Sequence, residues 1–292
     1  MIHVPVLGEE VGELLVKRKE GVYVDCTIGE GGHSLILLQK FPHIRILGLD
    51  MDEEILGEAR KNLAPYQERV TLRKGNFRDI DIYLKKEGLQ RVDGFLFDLG
   101  ISSYHLESSG RGFSFKKEEP LDMRMDQDAE LTAYQIVNFW PSQKLIDILK
   151  SYGEERRAQA VVRKMVKERR KKPLQTTREL AELIRKVVRR SGKIDPATRT
   201  FQAIRIAVND ELTSLEIALR KVPLLLKKGG RVVVISYHSL EDRIVKHIFK
   251  EEAKEGYLRV LTPKPVRPTD EEVSINPRSR SAKLRAGERI ES

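Results

Sequence analysis

The segment from Val22 to His33 constrains the fold of this chain more than any other part of the sequence. A short apolar run ends at Asp25, and clustered glycines follow before an apolar stretch begins at Ser34. Glycine adopts positive φ and lets a ligand approach the backbone, and the start of a helix attracts polar ligands. The segment therefore predicts a strand, a glycine loop and a helix that bind a nucleotide-like ligand. A tight turn without a ligand is the alternative.

The alternation of strand and helix continues as far as Asp98, which predicts a doubly wound α/β fold. The pattern places strands at residues 44–50, 70–77 and 92–98 and helices at residues 53–66 and 79–89. Acids end or follow these strands, on the sheet edge where such folds bind ligands. Any one acid is explained as a turn former, but together they indicate a site. These acids are Asp25, Asp50, Asp52 and Asp98.

The glycine pattern disfavours a nicotinamide dinucleotide as the ligand. Ser34 stands where such sites need a third glycine or an alanine for close packing of helix and strand. S-adenosylmethionine carries a ribose, an adenine and an amino-acid tail but no phosphate. Its site needs acids and an apolar wall rather than a phosphate cradle, so the sequence favours a methyltransferase over a dehydrogenase.

Three groups of residues suit the parts of this cofactor. Asp50 lies 19 residues beyond Gly31, the offset at which an acid accepts hydrogen bonds from ribose hydroxyls. The Asn76-Phe77 dipeptide suits the adenine, with the phenyl ring stacked on the base. The glycine loop suits the methionine portion, together with either Asp25 or Asp98.

The positive charge of the chain is concentrated between residues 150 and 199. The net charge is +10, and this segment holds 17 Lys or Arg against six Asp or Glu. Its basic runs have few acids beside them, and the longest run consists of Arg169, Arg170, Lys171 and Lys172. A basic block on an otherwise neutral chain is typical of nucleic-acid binding. We therefore expect phosphate contacts from this run, and a solvated helical face is the alternative.

The rest of the composition argues against several classes of protein. No apolar run approaches the ~20 residues that span a bilayer, and the N-terminus shows no secretion signal. Cys26 is the only cysteine, and the six histidines show no metal-ligand spacing. We expect a cytoplasmic protein that binds neither a membrane nor a metal.

After Asp98 the pattern changes and indicates an inserted helical domain. Helices are predicted at residues 133–139, 142–151, 155–171 and 177–191, followed by one long helix over 200–226 that stops at Gly229-Gly230. A strand at 231–236, a helix at 239–255 and an antiparallel pair at 257–262 and 281–290 complete the sheet. We expect a methyltransferase domain in two parts, residues 1–106 and 198–292, around a basic substrate-recognition domain of residues 107–197.

Several motifs lie along nearly the whole chain in a fixed order. They are His3-Val-Pro-Val-Leu, the loop 25–33, Asp98-Leu-Gly-Ile-Ser-Ser, Arg111-Gly-Phe-Ser-Phe, Pro120-Leu-Asp-Met-Arg-Met, Thr200-Phe-Gln-Ala-Ile-Arg, Ile235-Ser-Tyr-His-Ser-Leu-Glu-Asp-Arg and Asn276-Pro-Arg-Ser-Arg-Ser. Together they resemble the bacterial 16S ribosomal RNA cytosine-N4 methyltransferases, the MraW or RsmH family. The resemblance implies a Rossmann-like class I methyltransferase fold and S-adenosylmethionine as cofactor. It also implies methyl transfer to a decoding-region cytosine of 16S rRNA, in the small ribosomal subunit or its precursor.

The resemblance implies a set of cofactor-binding residues as well. The family positions fall on Gly31, Gly32, His33, Asp50, Phe77, Asp98 and His105. His105 departs from the family pattern, because many relatives have Gln there. Asp98-Leu-Gly-Ile lacks the prolines that many DNA amino-methyltransferases carry after their fourth strand, so the base-positioning geometry of those enzymes cannot be transferred.

Asp98 is the candidate catalytic residue, as a hydrogen-bond and proton acceptor for the cytosine amine. A role limited to binding the amino-acid tail of the cofactor is the alternative. Two other functions stay open for the whole chain. One is an RNA-binding assembly protein that holds the cofactor without turnover, and the other is a methyltransferase for another RNA, a protein or a small molecule.

Overall fold

The computed structural model describes residues 5–189 and 195–290 and divides the chain into two compact units. Unit 1 comprises Met1–Gly100 and Leu212–Ser292, and unit 2 comprises Ile101–Glu211. His3 of the first motif lies outside the described residues, as does Arg190 of the basic block. Within the described ranges, no helix is long and apolar enough to cross a membrane.

A seven-stranded sheet forms the centre of unit 1. Its strands are β1 (Val22–Asp25), β2 (Arg45–Asp50), β3 (Val70–Lys74), β4 (Val92–Asp98), β5 (Leu226–Ser236), β6 (Leu258–Val260) and β7 (Lys283–Arg289). They lie in the order β3-β2-β1-β4-β5-β7-β6. Strands β1 to β5 are parallel, and β7 is antiparallel to both β5 and β6. The predicted doubly wound α/β fold and its antiparallel pair are confirmed.

The order of the strands reverses between β1 and β4, which pair in parallel from Tyr23 opposite Gly94 to Asp25 opposite Leu96. Strands β2 and β3 lie on one side of β1, and β4 and β5 lie on the other. In open α/β sheets, ligands bind outside the carboxyl ends of the strands at such a reversal. Asp25 and Asp98 end the two strands that meet there.

Helices cover both faces of the sheet because its strands are apolar on both sides. Unit 1 contains α1 (Gly8–Leu15), α2 (Gly32–Lys40), α3 (Glu53–Asn62), α4 (Ile80–Lys86), α11 (Glu211–Leu225), α12 (Ser239–Lys254) and α13 (Asp270–Ile275). One core joins Phe95 and Phe97 to buried residues of α4, α11 and α12. The opposite core joins Tyr23 and Leu96 to buried residues of α1, α2 and α3.

Unit 2 is helical and has a core of its own. Its helices are α5 (Ser103–Glu107), α6 (Ala133–Phe139), α7 (Ser142–Ser151), α8 (Ala158–Arg169), α9 (Thr177–Val187) and α10 (Thr198–Asn209). The unit continues beyond the predicted end at residue 197 because Phe201 and Ile204 of α10 belong to this core. A separate substrate-recognition role for the helical part stays a prediction.

The single long helix predicted over residues 200–226 is wrong. Asp210 has a left-handed backbone conformation with φ of 49°, which separates α10 from α11. Asp is among the few non-glycine residues that tolerate this conformation, and the apolar periodicity on both sides does not reveal it. The helix predicted at 53–66 is also too long, because α3 ends at Asn62 and a 3₁₀ turn containing Pro65 follows over Ala64–Arg69.

The pair Gly229-Gly230 lies inside a strand rather than at a helix stop. Strand β5 already begins at Leu226, and its register against β4 shifts between Val92 and Gly94. Gly229 has φ of 75°, a conformation that favours glycine. The glycines therefore permit a bulge in a strand that is longer than the sequence pattern predicted.

Replacing Gly94 by alanine tests the packing between β1 and β4. A Cβ at Gly94 would lie 2.7 Å from Cδ1 of Tyr23, whose fully buried ring is held by a hydrogen bond from its hydroxyl to the carbonyl of Arg18. We expect Gly94→Ala to lower the free energy of unfolding by ~1–3 kcal/mol, measured by urea denaturation. Gly57→Ala in α3 is the control, because a Cβ there has nothing within 4 Å and should stabilise the helix. Equal stability of the two variants would contradict the tight packing.

Candidate cofactor site and basic surface

The predicted glycine loop connects β1 to α2 and is held by the end of β2. Gly29 and Gly31 have φ of 53° and 88°, and Gly31 is the residue that caps α2 before it begins at Gly32. The N–H of Gly29 donates a hydrogen bond of 3.0 Å to Oδ2 of Asp50. The predicted strand, glycine loop and helix are confirmed, and the hydrogen bond to Asp50 holds the loop at the carboxyl end of β2.

Asp50 accepts backbone hydrogen bonds on both carboxylate oxygens. Besides the bond from Gly29, its Oδ1 accepts one from the N–H of Asp52 at 3.0 Å. Asp52 in turn accepts from the N–H of Glu54 and caps α3. Each carboxylate oxygen has two lone pairs, so Asp50 can order the loop and still accept from a hydroxyl. Asp52 has a structural role that its position among the four acids did not reveal.

Asn76 and Phe77 lie just beyond the end of β3, next along the same edge. Oδ1 of Asn76 accepts from the N–H of Arg78 at 2.9 Å, and Nδ2 donates to Oγ of Ser214 at 3.1 Å. The ring of Phe77 packs edge-on against Phe97, with centroids 5.6 Å apart. The Phe77 ring is only partly buried, so one part of it can contact a ligand, and its role in holding the adenine stays a prediction.

Asp98 is the point at which the loop, β4 and β5 meet. Its Oδ1 accepts a hydrogen bond of 2.8 Å from the hydroxyl of Tyr237, and its Oδ2 lies 3.2 Å from Nε2 of His33. The contact with His33 is a close ion pair and not a well-aligned hydrogen bond. The N–H of Asp98 donates to Oγ1 of Thr27. The Asp98 side chain is 26% exposed, so a ligand can reach this carboxylate.

The buried groups around Asp98 have shifted pKa values. Burial raises the pKa of the Asp25 carboxyl to about 6, against the opposing effects of the hydrogen bond from Ser34 and the charge of His33. Burial alone would lower the pKa of His33, but its contact with Asp98 and the charge of Asp25 outweigh that effect and raise it. The cluster therefore combines carboxylates with one histidine whose protonated form Asp98 and Asp25 stabilise.

Sequence reasoning missed three polar residues of this cluster: Thr27, Ser34 and Tyr237. Tyr237 directly follows Ser236, the last residue of β5, so the rule that strand ends line the site could have identified it. Its environment is distinctive, because burial and the adjacent Asp98 raise the pKa of its hydroxyl well above the usual value. The Tyr237 hydroxyl therefore stays protonated and donates a hydrogen bond to Asp98.

The arrangement suits S-adenosylmethionine better than a phosphate-bearing cofactor. The charged side chains gathered within the described part of this cluster are carboxylates and one histidine. Such a set accepts hydrogen bonds from hydroxyls and attracts a positively charged amine or sulfonium, whereas it would repel a phosphate.

No group of three or more metal-ligating residues occurs among the described residues.

His105, the remaining predicted cofactor residue, lies in α5 of unit 2. Its side chain is 4% exposed, with Nδ1 3.3 Å from the N–H of Ser102. Its ring lies 4.6 Å from that of Phe113. These contacts give His105 a local capping role within unit 2, and its cofactor role stays a prediction.

The basic run at the end of α8, residues 169–172, forms more hydrogen bonds and ion pairs within the protein than the sequence indicated. Arg169 donates to the carbonyl oxygens of Val137 and Trp140 at 2.7 and 2.8 Å, and burial lowers its pKa. Lys171 pairs with Glu168, and Lys172 pairs with Glu179. The premise that the run has few acids beside it is wrong for its two lysines, because Glu168 lies one turn before Lys171 and Glu179 reaches Lys172 from the next helix. Hydrogen bonds from Lys164 and Lys171 lower the pKa of Glu168 to about 2.

Replacing Asp25 by asparagine tests the buried cluster through its pH dependence. At low pH the Asp25 carboxyl is protonated in both the folded and the unfolded protein. Because the pKa of this carboxyl is raised in the folded state, its contribution to stability is lost as the pH rises from the ordinary pKa of 3.8 through about 6. We expect the unfolding free energy of Asp25→Asn, relative to wild type, to increase by up to ~3 kcal/mol over this interval. Urea denaturation at several pH values measures the difference, and a pH-independent difference would contradict the shifted pKa.

The chain is similar to known proteins along nearly its whole length. Residues 1–290 match the MraW methylase family. Curated relatives named ribosomal RNA small subunit methyltransferase H include one from Thermosipho africanus, 49% identical over 99% of this chain and 98% of its own length, and one from Thermotoga neapolitana, 48% identical over 99% and 96%. A solved putative rRNA-methylase from Clostridium thermocellum aligns with a TM-score of 0.49 at 15% identity, over 97% of this chain and 95% of its own. On the match along its whole length, the chain belongs to the MraW methylase family.

Proposed function

We propose that this protein transfers a methyl group from S-adenosylmethionine to the exocyclic N4 amine of a cytosine in the decoding region of 16S rRNA. The observation that carries the proposal is the carboxylate cluster at the β1–β4 reversal in a chain of the MraW methylase family. Relatives named as small-subunit rRNA methyltransferases support an rRNA substrate. The small ribosomal subunit or its precursor would then be the partner, and the cytoplasm the place of action.

In this proposal, each part of the cofactor has its own residues. Asp50 accepts from the ribose hydroxyls, the Asn76-Phe77 dipeptide holds the adenine, and the glycine loop with either Asp25 or Asp98 holds the methionine portion. When bound, S-adenosylmethionine supplies an electrophilic methyl group. The roles of Gly31, Gly32, His33 and His105 follow from the family pattern and belong to the proposal.

The cytosine amine needs help from the protein because its lone pair is delocalised into the ring. The base must leave its stack to reach a site at the edge of the sheet. Alignment of the nitrogen with the methyl group can supply a large share of the rate, up to ~7–11 kcal/mol. A proton acceptor adds ~10²–10⁴-fold. Asp98 suits that role because it is partly exposed while Tyr237 and His33 hold its two oxygens in place.

The direct test supplies the protein with labelled S-adenosylmethionine and small ribosomal subunits, then maps the labelled nucleotide. The proposal expects one methylated cytosine at N4 in the decoding region. Free 16S rRNA and precursor particles in parallel reactions identify the preferred form of the substrate. Cofactor binding without any transfer would favour an assembly protein, and a label on another RNA or on protein would change the substrate class.

Asp50→Ala tests the ribose contact. The variant loses a pair of charge-assisted hydrogen bonds worth ~1.5–3 kcal/mol each, so we expect a much weaker affinity for S-adenosylmethionine in calorimetric titration. Asp52→Ala is the control, because it removes the cap of α3 but not the proposed acceptor. If both variants bind like the wild type, the ribose contact lies elsewhere.

Asp98→Asn separates the two roles open to Asp98. The amide keeps the shape of the side chain and can still accept from Tyr237, but it is a poor proton acceptor. With a catalytic role, we expect cofactor affinity near that of the wild type and methyl transfer slower by ~10²-fold or more. Cofactor binding and single-turnover transfer are measured on the same preparation. Lost binding with an unchanged rate at saturating cofactor would assign Asp98 to the amino-acid tail alone.

A further inference from the structure

Unit 2 carries an aromatic cluster on α6, of which Phe139 is exposed while Tyr134 and Trp140 are partly buried against the core. Phe139 is 67% exposed, although burying a phenyl ring is normally favourable. The ring of Tyr134 meets it edge-on at 5.9 Å. Trp140 follows, with Nζ of Lys144 3.5 Å from the centroid of its indole ring. Three aromatic side chains and a cation therefore share this surface.

The basic run after α8 is attached directly to this cluster. The guanidinium of Arg169 bonds the carbonyls of Val137 and Trp140, which lie on either side of Phe139 in sequence. Asn138 exchanges two hydrogen bonds with the backbone of Leu174, at 2.8 and 2.9 Å. The segment between Arg169 and Leu174 is thus held against the end of α6 at both its ends.

Arg169 therefore positions the other cations instead of offering its own charge. Between the two attachment points lie Arg170, Lys171 and Lys172, all exposed. The ion pairs of Lys171 and Lys172 have side chains 64% and 67% exposed, so they contribute little and can exchange for phosphates. The two lysines also line an open groove of about 420 Å³ with Lys164 and Lys186, and Glu168, Glu179 and Glu182 line the same groove.

We propose that this surface, consisting of Tyr134, Phe139, Trp140, Lys144, Arg170, Lys171 and Lys172, binds unpaired RNA outside the target cytosine. Aromatic faces stack on any exposed base, and neighbouring cations follow the phosphates. Charge favours RNA over a protein partner, because the cluster is bordered by a run of three exposed cations. Paired RNA is disfavoured, because its bases are already stacked. The inference rests on the proposed function and adds to it a second contact for single-stranded substrate.

The test measures binding of a labelled single-stranded RNA oligonucleotide by fluorescence anisotropy over a range of salt concentrations. We expect Phe139→Ala to weaken binding about fivefold or more, the loss of one stacked base, and Phe139→Tyr to bind like the wild type. The salt dependence of Phe139→Ala should be unchanged, since stacking releases no counterions. Neutralising Lys171 and Lys172 should instead flatten the slope of log K against log salt by ~0.7 per lost contact.

Two controls keep the result specific. Ile275→Ala removes a side chain that is 71% exposed in unit 1, and its RNA affinity should match the wild type. Phe139→Leu keeps an apolar side chain without a ring, so binding as weak as in Phe139→Ala supports stacking. RNA binding by Phe139→Leu equal to the wild type would overturn the proposal, because an aliphatic side chain cannot stack on a base.

The outcomes also separate this inference from the proposed function. If the wild type methylates 16S rRNA and Phe139→Ala binds the oligonucleotide equally well, the stacking surface is wrong and the proposed function stands. If the wild type transfers no methyl group to any RNA, the proposed function fails. Thermal unfolding of each variant, with Arg169→Gln as a destabilised reference, shows whether a loss of binding reflects a loss of folding.

Discussion

Parallel pairing of β1 with β4 is the constraint on which the rest of the site depends. It brings the ends of two strands that are distant in sequence to one edge, and with them Asp25 and Asp98. Several carboxylates in one place repel each other. The fold offsets that repulsion with backbone N–H groups on Asp50, the hydroxyl of Ser34 on Asp25, and Tyr237 with His33 on Asp98. A site prepared in this way holds negative charge ready for a cationic ligand.

In unit 2, a positive charge stabilises the end of a helix. The guanidinium of Arg169 donates hydrogen bonds to carbonyl groups at the end of α6. A cation is favourable there because the last carbonyls of a helix lack partners within it. The neighbours of Arg169 remain at the surface beside Phe139 and Trp140. One segment thus contains a structural cation followed by exposed ones, and the sequence alone presents them as a uniform run.

Local sequence patterns predicted much of the fold because apolar periodicity and chain punctuation are local properties. Strand β4 and helices α6 and α7 have the predicted bounds. The pattern failed where the backbone conformation of a single residue decides the outcome. Asp210 interrupts a continuous apolar face, and Gly229 continues a strand through a bulge. Neither choice changes the hydrophobic pattern, so periodicity cannot detect it.

By itself, the sequence determined the α/β class, the glycine loop and the acids at the strand ends, because each rests on residue type and spacing within one short segment. Only the tertiary structure decided which partners these residues have. Tyr237 reaches Asp98 from 139 positions away, and Asn76 meets Ser214 across 138. The raised pKa of Asp25 likewise depends on its burial in the folded chain. Hydrogen bonds and desolvation act over a few ångströms in space, so only the folded chain can assign them.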